Sequence, residues 1–597
     1  MIRLKKKGNI VKNLIWSLKE LHKFNKTYII VFLLQTIING ILPVVSLVLI
    51  QQIINDLQYQ IGTLEQIIKK LILMFMIRLV CETSLYFIQL RLENLELKFS
   101  AYFQSLILKK VATLDSKDFE NTKTYNLINR TQYDGNAGIL GTIKILFAFG
   151  TLFLSTVSYI VIIIRYNTLL LLLIIILPMI KYFFEKKYNL EEYNLDIKNT
   201  ETDRQTSYIT FLLTNSENFK EIKSYNLFGY FIKKYENIKD IFNQDYIDLN
   251  KKRTNSFSVI SIGDKVVECI VTAIILIETF LGKMSIGDFV LYNNSIDSIK
   301  ENTIAMFTQI SYIYKNSAMI EQIRLFFQIE AEDLHEKGIK IDKIDTIELR
   351  NVSYHYHGKK DYALKDINLK FAKGDFVVLM GYNGSGKSTL IKIISGIYSD
   401  YEGEIFVNDI NLKRINLKKY RALVSVMFQN YIKYESTISE NIQYGNIGDI
   451  GSVHKSEMLD KIALSEFKNH MEQSLGYQFT EGTQISIGQW QKLALGRALM
   501  KPADIYVYDE PNASLDIVSE RCILNMIYKE MQGKITLLII HRFNRMVEKA
   551  NKIIVLENGR VREQGTHEEL LKNRALYYKL YNNQKEMTVS DFQDKLC

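Results

Sequence analysis

The residues best suited to chemistry form one short run, Gly381-Tyr382-Asn383-Gly384-Ser385-Gly386-Lys387-Ser388. The run matches G-x-x-x-x-G-K-[ST] and lies between a strand-like run, Phe376–Met380, and a helix-like run that starts at Thr389. Glycines at these spacings let backbone N–H groups approach phosphates, and the start of a helix adds the positive end of its dipole. The motif predicts a phosphate-binding loop for a nucleoside triphosphate.

Two side chains of this loop are expected to act directly on the phosphates and their metal ion. Lys387 should reach the β- and γ-phosphates, and Ser388 should hold Mg²⁺. The other residues of this segment that we expect to bind ATP are Gly381, Asn383, Gly384, Ser385, Gly386 and Thr389. The alternative is an ordinary glycine-rich turn followed by Lys and Ser. The strand and helix patterns on either side disfavour that alternative.

A second apolar run, Ile505–Tyr508, ends in two carboxylates, Asp509 and Glu510. Asp509 is expected to hold Mg²⁺, directly or through water, and Glu510 to polarise the attacking water as general base. An apolar run that ends in Asp-Glu is a weak signal by itself. It becomes a strong one when a phosphate-binding loop precedes it, here at a distance that leaves room for an inserted helical subdomain.

Between these motifs, Ile485-Ser486-Ile487-Gly488-Gln489 is similar to the L-S-G-G-Q signature of the ATP-binding cassette (ABC) family. Further positions match the motifs of that family in the same order. The resemblance implies that Tyr356 stacks on adenine and that Gln429 senses both Mg²⁺ and the membrane domain. It also implies that Asp516 belongs to the D-loop and that His541 contacts the γ-phosphate. Glu510, His541 and Gln429 are thus the expected catalytic residues.

The signature segment also implies a partner subunit. Ser486 and Gly488 open a helix, so that they form a second anion site. In the ABC family this site, which includes Gln489, closes on ATP held by the other subunit. Since the chain has one cassette, we expect a homodimer or a pair with a close relative. Ile487 replaces the first signature glycine, and a β-branched residue narrows backbone freedom. Because Ser486, Gly488, Glu510 and His541 are intact, we expect an active ATPase, with a rate below the family average on account of Ile487.

The elements that precede the cassette are long apolar stretches suited to membrane helices. They are expected at Tyr28–Ile50, Ile67–Leu90, Ile139–Ile164, Leu169–Ile180, Ser256–Leu281 and Ile286–Tyr314. The runs at 28, 139 and 169 are too long and too apolar for a soluble helical bundle, the alternative. The charged segments 92–137 and 181–255 are typical of helices that continue into the cytoplasm. By family resemblance, 119–127 and 220–227 would be coupling helices.

Polar residues interrupt the last two apolar runs. They are Asp264, Lys265, Glu268 and Glu278 in the fifth run and Asn293, Asn294, Asp297, Lys300, Glu301 and Asn302 in the sixth. Such groups are costly against lipid, which favours a bundle interior or a wet cavity. We expect the cavity for Asn294 and Asp297. Helix ends that extend into water are the alternative.

Composition narrows the compartment and the partners. The net charge of +10 is scattered over 597 residues, which disfavours nucleic acid as a partner. A basic cluster at Arg3, Lys5, Lys6 and Lys7 precedes the first apolar run and predicts a cytoplasmic N-terminus. The four cysteines are far apart, so that we expect neither a structural disulfide nor a metal site of cysteines. No cleavable signal peptide and no prenylation pattern are expected.

With its apolar half preceding one cassette, the chain resembles an ABC exporter half-transporter of the type IV fold. Its fold class would be an α-helical transmembrane bundle, about six helices with long cytoplasmic extensions, fused to an α/β P-loop ABC ATPase domain. The expected domains are residues 1–330 in the membrane, a linker at 331–345, the nucleotide-binding domain at 346–585 and a tail at 586–597. We expect a multi-pass protein of the bacterial cytoplasmic membrane, with its N-terminus and ATPase domain in the cytoplasm.

A narrower resemblance concerns the cargo. Residues 434–442 and 482–492, above all Trp490, are similar to the nisin- and subtilin-type lantibiotic exporters. This implies ATP-driven export of a lantibiotic or bacteriocin-like precursor peptide by alternating access. Expected partners are that peptide, membrane lipid and peptide-modification enzymes, and no leader cleavage is expected of this chain. The alternatives are a multidrug or lipid exporter, a soluble ABC ATPase that acts on nucleic acid, and an ATP-gated membrane switch.

Overall fold

The chain forms two units in the computed structural model. The model describes residues 8–166, 168–356, 358–359, 361–448, 451–479, 481–540 and 545–583. The first unit comprises the chain up to Thr113 together with Lys123–Glu330. The second comprises Leu114–Thr122 and the chain from Ala331 onward. The basic cluster at residues 3–7 and the tail at 586–597 lie outside the described residues.

The first unit is helical throughout its described elements. The helices are α1 (Gly8–Phe24), α2 (Lys26–Tyr59), α3 (Leu64–Val111), α5 (Thr122–Tyr166), α6 (Thr168–Lys198), α7 (Thr200–Thr214), α8 (Ser216–Ser224), α9 (Phe228–Phe280) and α10 (Ile286–Gln328), and α4 (Ser116–Glu120) falls in the second unit. Polar caps mark several starts. Asn25 accepts a hydrogen bond from the Thr27 N–H, and Ser285 forms a capping box with Asp288. The short helices α4 and α8 begin earlier than the expected coupling segments.

Three of these helices are long and apolar enough to cross a membrane, judged by length and composition within the described residues. They are α2, α3 and the Ala137–Tyr166 part of α5. Only 6%, 6% and 28% of their most apolar stretches are buried inside the protein. Because so much apolar surface would be unfavourable in water, lipid is the solvent that fits it. The side chains of residues 168–175 lie outside the described ones, so that the run at Leu169–Ile180 is only partly described.

The charged residues of α9 and α10 form an internal ion cluster. Lys300 of α10 is 7% exposed, and its Nζ lies 3.0 Å from Asp264 Oδ2 and 2.8 Å from Glu268 Oε2 of α9. Asn294 instead lines a cavity of about 580 Å³. Asp297 is half-buried and is not among the residues that line this cavity in the described part of the chain. Some of the polar residues in the apolar runs therefore link α9 to α10 by ion pairs.

The second unit contains two sheets. The strands are β1 (Thr346–Tyr354), β2 (Leu364–Ala372), β3 (Phe376–Met380), β4 (Glu402–Val407), β5 (Ile410–Asn411), β6 (Val424–Met427), β7 (Ile505–Asp509), β8 (Ile535–Ile539), β9 (Lys552–Glu557) and β10 (Arg560–Gly565). A four-stranded antiparallel sheet has the order β2-β1-β4-β5. A six-stranded sheet has the order β10-β9-β3-β8-β7-β6 and is parallel except for the β9–β10 hairpin.

The second unit also contains helices, several of which pack on the parallel sheet. They are α11 (Lys387–Ile394), α12 (Leu417–Ala422), α13 (Ile438–Gln443), α14 (Ser452–Lys461), α15 (Ile487–Met500), α16 (Ile517–Glu530), α17 (Arg545–Lys549) and α18 (His567–Asn573), with short 3₁₀ turns at Leu412–Arg414 and Ser465–His470. Every residue of β3, β7 and β8 is buried. A parallel strand buried on both faces needs an unbroken apolar run, which explains why these strands do not alternate with polar residues.

The ion cluster yields a stability prediction. Replacing Lys300 with Met should lower the apparent melting temperature by roughly 5–10 °C, because two carboxylates would lose a buried cation. The matched control is Lys265→Met, since Lys265 is exposed and Glu268 would keep its bond to Lys300. Heating the detergent-purified protein before size-exclusion chromatography measures both. Equal melting temperatures for the two variants would contradict a stabilising role for the cluster.

Candidate nucleotide site

The glycine loop connects β3 to α11 through a backbone that tolerates few other residues. Gly381 has φ +142° and Gly386 has φ +103°, in the left-handed region that favours glycine. A Cβ at Gly381 would lie 2.2 Å from the Leu556 carbonyl oxygen, and one at Gly386 would lie 2.8 Å from the Ala363 carbonyl oxygen. The glycines are thus required by close backbone approach as well as by torsion angle. The loop is held between neighbouring segments before any ligand binds.

Lys387 lies at the start of α11 and points back into the loop. Its Nζ donates hydrogen bonds of 2.9 Å to the carbonyl oxygens of Gly381 and Tyr382, and the residue is 6% exposed. Burial lowers the pKa of Lys387, while the charges of Glu510 and Asp509 oppose that shift. A desolvated cation enclosed by carbonyl oxygens is suited to an anionic ligand such as a phosphate.

The rest of the loop offers polar atoms to the same space. Ser385 is 4% exposed, and its Oγ has no hydrogen-bond partner among the described residues. A buried hydroxyl without a partner is costly, and a ligand oxygen would relieve that cost. Asn383 and Gly384 are exposed at the tip of the loop. The donor set therefore fits a bound phosphate.

Ser388 and Asp509 come together although they are far apart in sequence. The Ser388 Oγ donates a hydrogen bond of 3.2 Å to Asp509 Oδ2, and Asp509 is 3% exposed at the end of β7. A hydroxyl and a carboxylate side by side are oxygen ligands of the kind that Mg²⁺ prefers. The pair therefore fits a magnesium ion beside the phosphate loop.

Glu510 follows Asp509 with an unusual backbone conformation. Its φ of +53° lies in the left-handed region, which is rare for a residue with a side chain. Its N–H donates to the Ile539 carbonyl oxygen at 3.2 Å, and its carbonyl oxygen accepts from Gln491 Nε2 at 3.0 Å. These two bonds hold the turn in this conformation. Glu510 is half-buried and directly follows Asp509 at the end of β7.

Tyr356 lies against the beginning of α11. Its hydroxyl is 2.9 Å from the Thr389 Oγ1, and its ring meets the rings of Tyr354 and Tyr398 edge-on. The residue is half-buried, so that part of the ring remains available for stacking. Tyr356 and Thr389, two residues expected to bind ATP, are therefore in contact within one chain.

The signature segment forms a well-capped helix start. Ser486 Oγ accepts from the Gln489 N–H at 3.2 Å, and Gln489 Oε1 accepts from the Ser486 N–H at 2.8 Å. This capping box determines where α15 begins. Ile487 is the first residue of α15 and follows its right-handed helical backbone, with a side chain that is 60% exposed. The missing glycine therefore imposes no backbone strain in this conformation.

Gly488 and Gln491 join the signature helix to the loop that follows Glu510. A Cβ at Gly488 would lie 3.1 Å from the Ser514 carbonyl oxygen, which is tighter than usual. Gln491 is 3% exposed, donates to the Glu510 carbonyl oxygen and accepts from the Ser514 N–H at 3.0 Å. The sequence pattern alone predicts no role for Gln491. Its position two residues after Gln489 in a helix gave only a weak signal.

Of the other three residues expected in the site, the structure describes Asp516 and Gln429. Asp516 caps α16, accepting from the Val518 and Ser519 N–H groups at 3.0 and 2.9 Å, and its hydrogen bonds to Ser519 and Val518 lower its pKa. Gln429 is exposed just beyond the end of β6. His541 lies outside the described residues, shortly after β8 ends.

Comparison with known proteins identifies this architecture. The family model described as ABC transporter matches residues 364–513. The chain is 30% identical to the subtilin transport ATP-binding protein of Bacillus subtilis, with 97% of this chain and 96% of the relative covered. This chain belongs to the ABC transporter family. It is an exporter of that family, and its ATPase domain couples ATP hydrolysis to transport.

Other relatives of this ABC exporter differ in the share of the chain that they cover. The nisin transport ATP-binding protein of Lactococcus lactis subsp. lactis is 29% identical over 95% of this chain and 96% of its own length. An ATP-dependent lipid A-core flippase of Shigella flexneri is 31% identical over 50% of this chain and 54% of its own length.

Solved structures confirm the predicted fold class. A bacterial Atm1-family ABC exporter with ATP bound matches with a TM-score of 0.75 at 20% identity, covering 94% of this chain and 98% of that chain. At this identity the match bears on the fold alone. An N-terminal helical domain with apolar helices is fused to a C-terminal α/β ABC ATPase domain, as expected.

Gln491 provides the test of how the site is held together. Replacing Gln491 with Ala should reduce kcat for ATP hydrolysis about 10-fold, because the Glu510 carbonyl oxygen and the Ser514 N–H each lose a hydrogen bond to this buried side chain and the turn at Glu510 loosens. Gln532→Ala is the matched control, since Gln532 is exposed and its side chain donates to the nearby Tyr528 carbonyl oxygen. Steady-state ATPase assays measure both. An unchanged kcat in Gln491→Ala would show that the turn does not need this support.

Proposed function

We propose that this chain is one half of a homodimeric transporter that exports a lantibiotic or bacteriocin-like precursor peptide across the bacterial cytoplasmic membrane. One observation carries the cargo assignment. The relatives named for subtilin and nisin transport align with 95% or more of this chain, including its membrane half. Cargo is selected by the membrane half, so that similarity there is more informative about cargo than similarity in the ATPase domain.

The cavity in the first unit supports a cargo with both polar and apolar parts. Its apolar lining includes the leucine and isoleucine side chains Leu42, Leu47, Ile50 and Leu85 of α2 and α3. Its polar lining comprises Asn39, Ser46, Arg78, Glu82, Asn294 and Ser298. Pro43 within α2 also leaves the Asn39 carbonyl oxygen without its usual helical donor. Charged and polar groups at membrane depth favour a transport path over lipid contact.

The geometry of the second unit supports a distinct role for each of the site residues in ATP hydrolysis. Lys387 would hold the phosphates, and Ser388 and Asp509 would hold Mg²⁺. Glu510 would orient the attacking water and accept its proton as general base. The bound ion supplies electrostatic stabilisation of the charge that develops on the phosphate oxygens. Tyr356 would stack on the base, while Gln429 and His541 would sense the γ-phosphate and the ion.

Dimerisation would complete the site. The capped start of α15 would present Ser486, Gly488 and Gln489 to the phosphate loop of the second copy, with Asp516 nearby. The positive end of the α15 dipole favours an anion at that place. ATP bound between the cassettes would favour their closed arrangement, and hydrolysis would release it. The N-terminus and the ATPase domain would lie in the cytoplasm, and peptide-modification enzymes are further candidate partners.

Lipid export is the second candidate function. It is favoured by the 31% identity to a lipid A-core flippase, which extends over half of this chain. Such a partial alignment carries less information about the membrane half. Peptide export is therefore the preferred proposal.

The role proposed for Glu510 predicts a specific kinetic defect. Glu510→Gln should lower kcat at least about 100-fold while ATP still binds, because a carboxamide cannot accept a proton from water. Glu530→Gln serves as the control, since Glu530 pairs with Lys461 at the surface. ATPase assays and equilibrium binding of labelled ATP measure the two properties. A wild-type rate no higher than that of Glu510→Gln would contradict an active ATPase.

The cargo is tested by uptake into inside-out membrane vesicles that contain the wild-type protein. The probes are the precursor peptides of subtilin and nisin, a fluorescent phospholipid and a cationic dye. We expect ATP-dependent uptake of at least one peptide, and none in vesicles with Glu510→Gln. Uptake of lipid or dye without any peptide would contradict the proposal and favour the second candidate.

A further inference from the structure

Tyr398 lies outside every motif of the site, yet its hydroxyl joins two separate segments. The residue follows α11 and is 3% exposed. Its hydroxyl donates to a carboxylate oxygen of Glu120, the last residue of α4, and accepts from Lys392 Nζ at 2.8 Å. Lys392 Nζ also lies 3.9 Å from the same Glu120 oxygen. The three side chains thus form a closed polar group inside the second unit.

The ring of Tyr398 belongs to an aromatic cluster that reaches the expected base-stacking residue. It stacks on the Tyr354 ring with centroids 5.0 Å apart and an interplanar angle of 10°. It also meets the Tyr356 ring edge-on, at 6.1 Å and 89°. Because Tyr354 is itself buried, the cluster backs the Tyr356 ring with two rigid side chains. Tyr356 therefore depends on Tyr398 for part of its support.

The polar group and the ring cluster connect three parts of the second unit: α11, α4 and the end of β1 that carries Tyr354 and is followed by Tyr356. Lys392 lies on α11, the helix that begins with Lys387 and Ser388. Glu120 lies on α4, within a segment that leaves α3 and returns to the apolar part of the chain as α5. That segment belongs to the second unit, where Leu114 is buried and Asp115 caps α4. Tyr398 is the residue that contacts all three parts.

The hydrogen bond from the Tyr398 hydroxyl to the Glu120 carboxylate is expected to be stable. Burial and the bond to Glu120 both raise its pKa, so that it remains a protonated donor at physiological pH. A hydrogen bond to a carboxylate is shorter and about twice as strong as one between neutral groups. Because the Tyr398 hydroxyl is buried, water cannot replace Glu120 as its partner. Loss of Glu120 would therefore cost free energy.

We propose that Tyr398 is a positioning residue for ATP hydrolysis: its ring supports Tyr356, and its hydroxyl links the phosphate-binding helix to the 114–122 segment. Displacement of that segment would then alter the position of α11 and of the base-stacking ring together. The proposal concerns ATP turnover and is independent of the nature of the cargo.

Steady-state ATPase kinetics of the full-length protein in lipid nanodiscs separate the two roles of Tyr398. Tyr398→Phe keeps the ring and should lower kcat about 5-fold, with KM for ATP within about 2-fold of wild type. Tyr398→Leu removes the ring as well and should also raise KM, because Tyr356 loses its backing. Compared with Tyr398→Leu, Tyr398→Phe should therefore have a near-wild-type KM but a kcat that is still lowered.

A double-mutant cycle with Glu120 tests the link itself. Glu120→Ala alone should lower kcat about as much as Tyr398→Phe, and the double variant should be no slower than either, about 5-fold rather than about 25-fold below wild type. Independent multiplicative effects, or a wild-type kcat in both single variants, would overturn the proposal. The matched control is Tyr401→Phe, because the Tyr401 hydroxyl is buried without a hydrogen-bond partner among the described residues.

Discussion

Parallel pairing of β3, β8 and β7 is the constraint on which the ATP site depends. Leu379 of β3 pairs with Ile539 of β8, and Ile539 in turn pairs with Asp509 of β7. The three strands therefore end at the same edge of the sheet. The glycine loop follows the end of β3, and Asp509 is the last residue of β7. The Ser388 hydroxyl can therefore reach the Asp509 carboxylate across the edge of the sheet. A slip of one residue would separate these groups.

The site also depends on the contacts that hold α15, the signature helix, against the turn that follows β7. The Ser486–Gln489 capping box satisfies backbone groups at the helix start, and Gln491 then bonds to the turns around Glu510 and Ser514. The strained backbone of Glu510 is supported from both sides by these bonds. Ile487 fits the same frame because the first helical position needs no glycine and its side chain is exposed.

Some parts of the site could be predicted from sequence because their chemistry is local. The glycine loop needs its residues at fixed spacings, and the run that ends in Asp509 and Glu510 must be apolar because its strand is buried on both faces. Gln491 and Tyr398 could not be predicted in this way. Each is held by a hydrogen bond to a residue outside its own segment, Gln491 to Glu510 and Tyr398 to Glu120, so that neither spacing nor residue type singles it out.

The sequence by itself determined the ATPase chemistry, the order of its motifs and the apolar character of the N-terminal half, because these depend on residue type and short-range spacing. Only the tertiary structure decided which polar residues of the membrane half pair with each other. Lys300 pairs with Asp264 and Glu268, while Asn294 lines the cavity, although all are polar interruptions of apolar runs. The reason is physical: hydropathy shows that a polar group must avoid lipid, but helix packing determines what it meets instead.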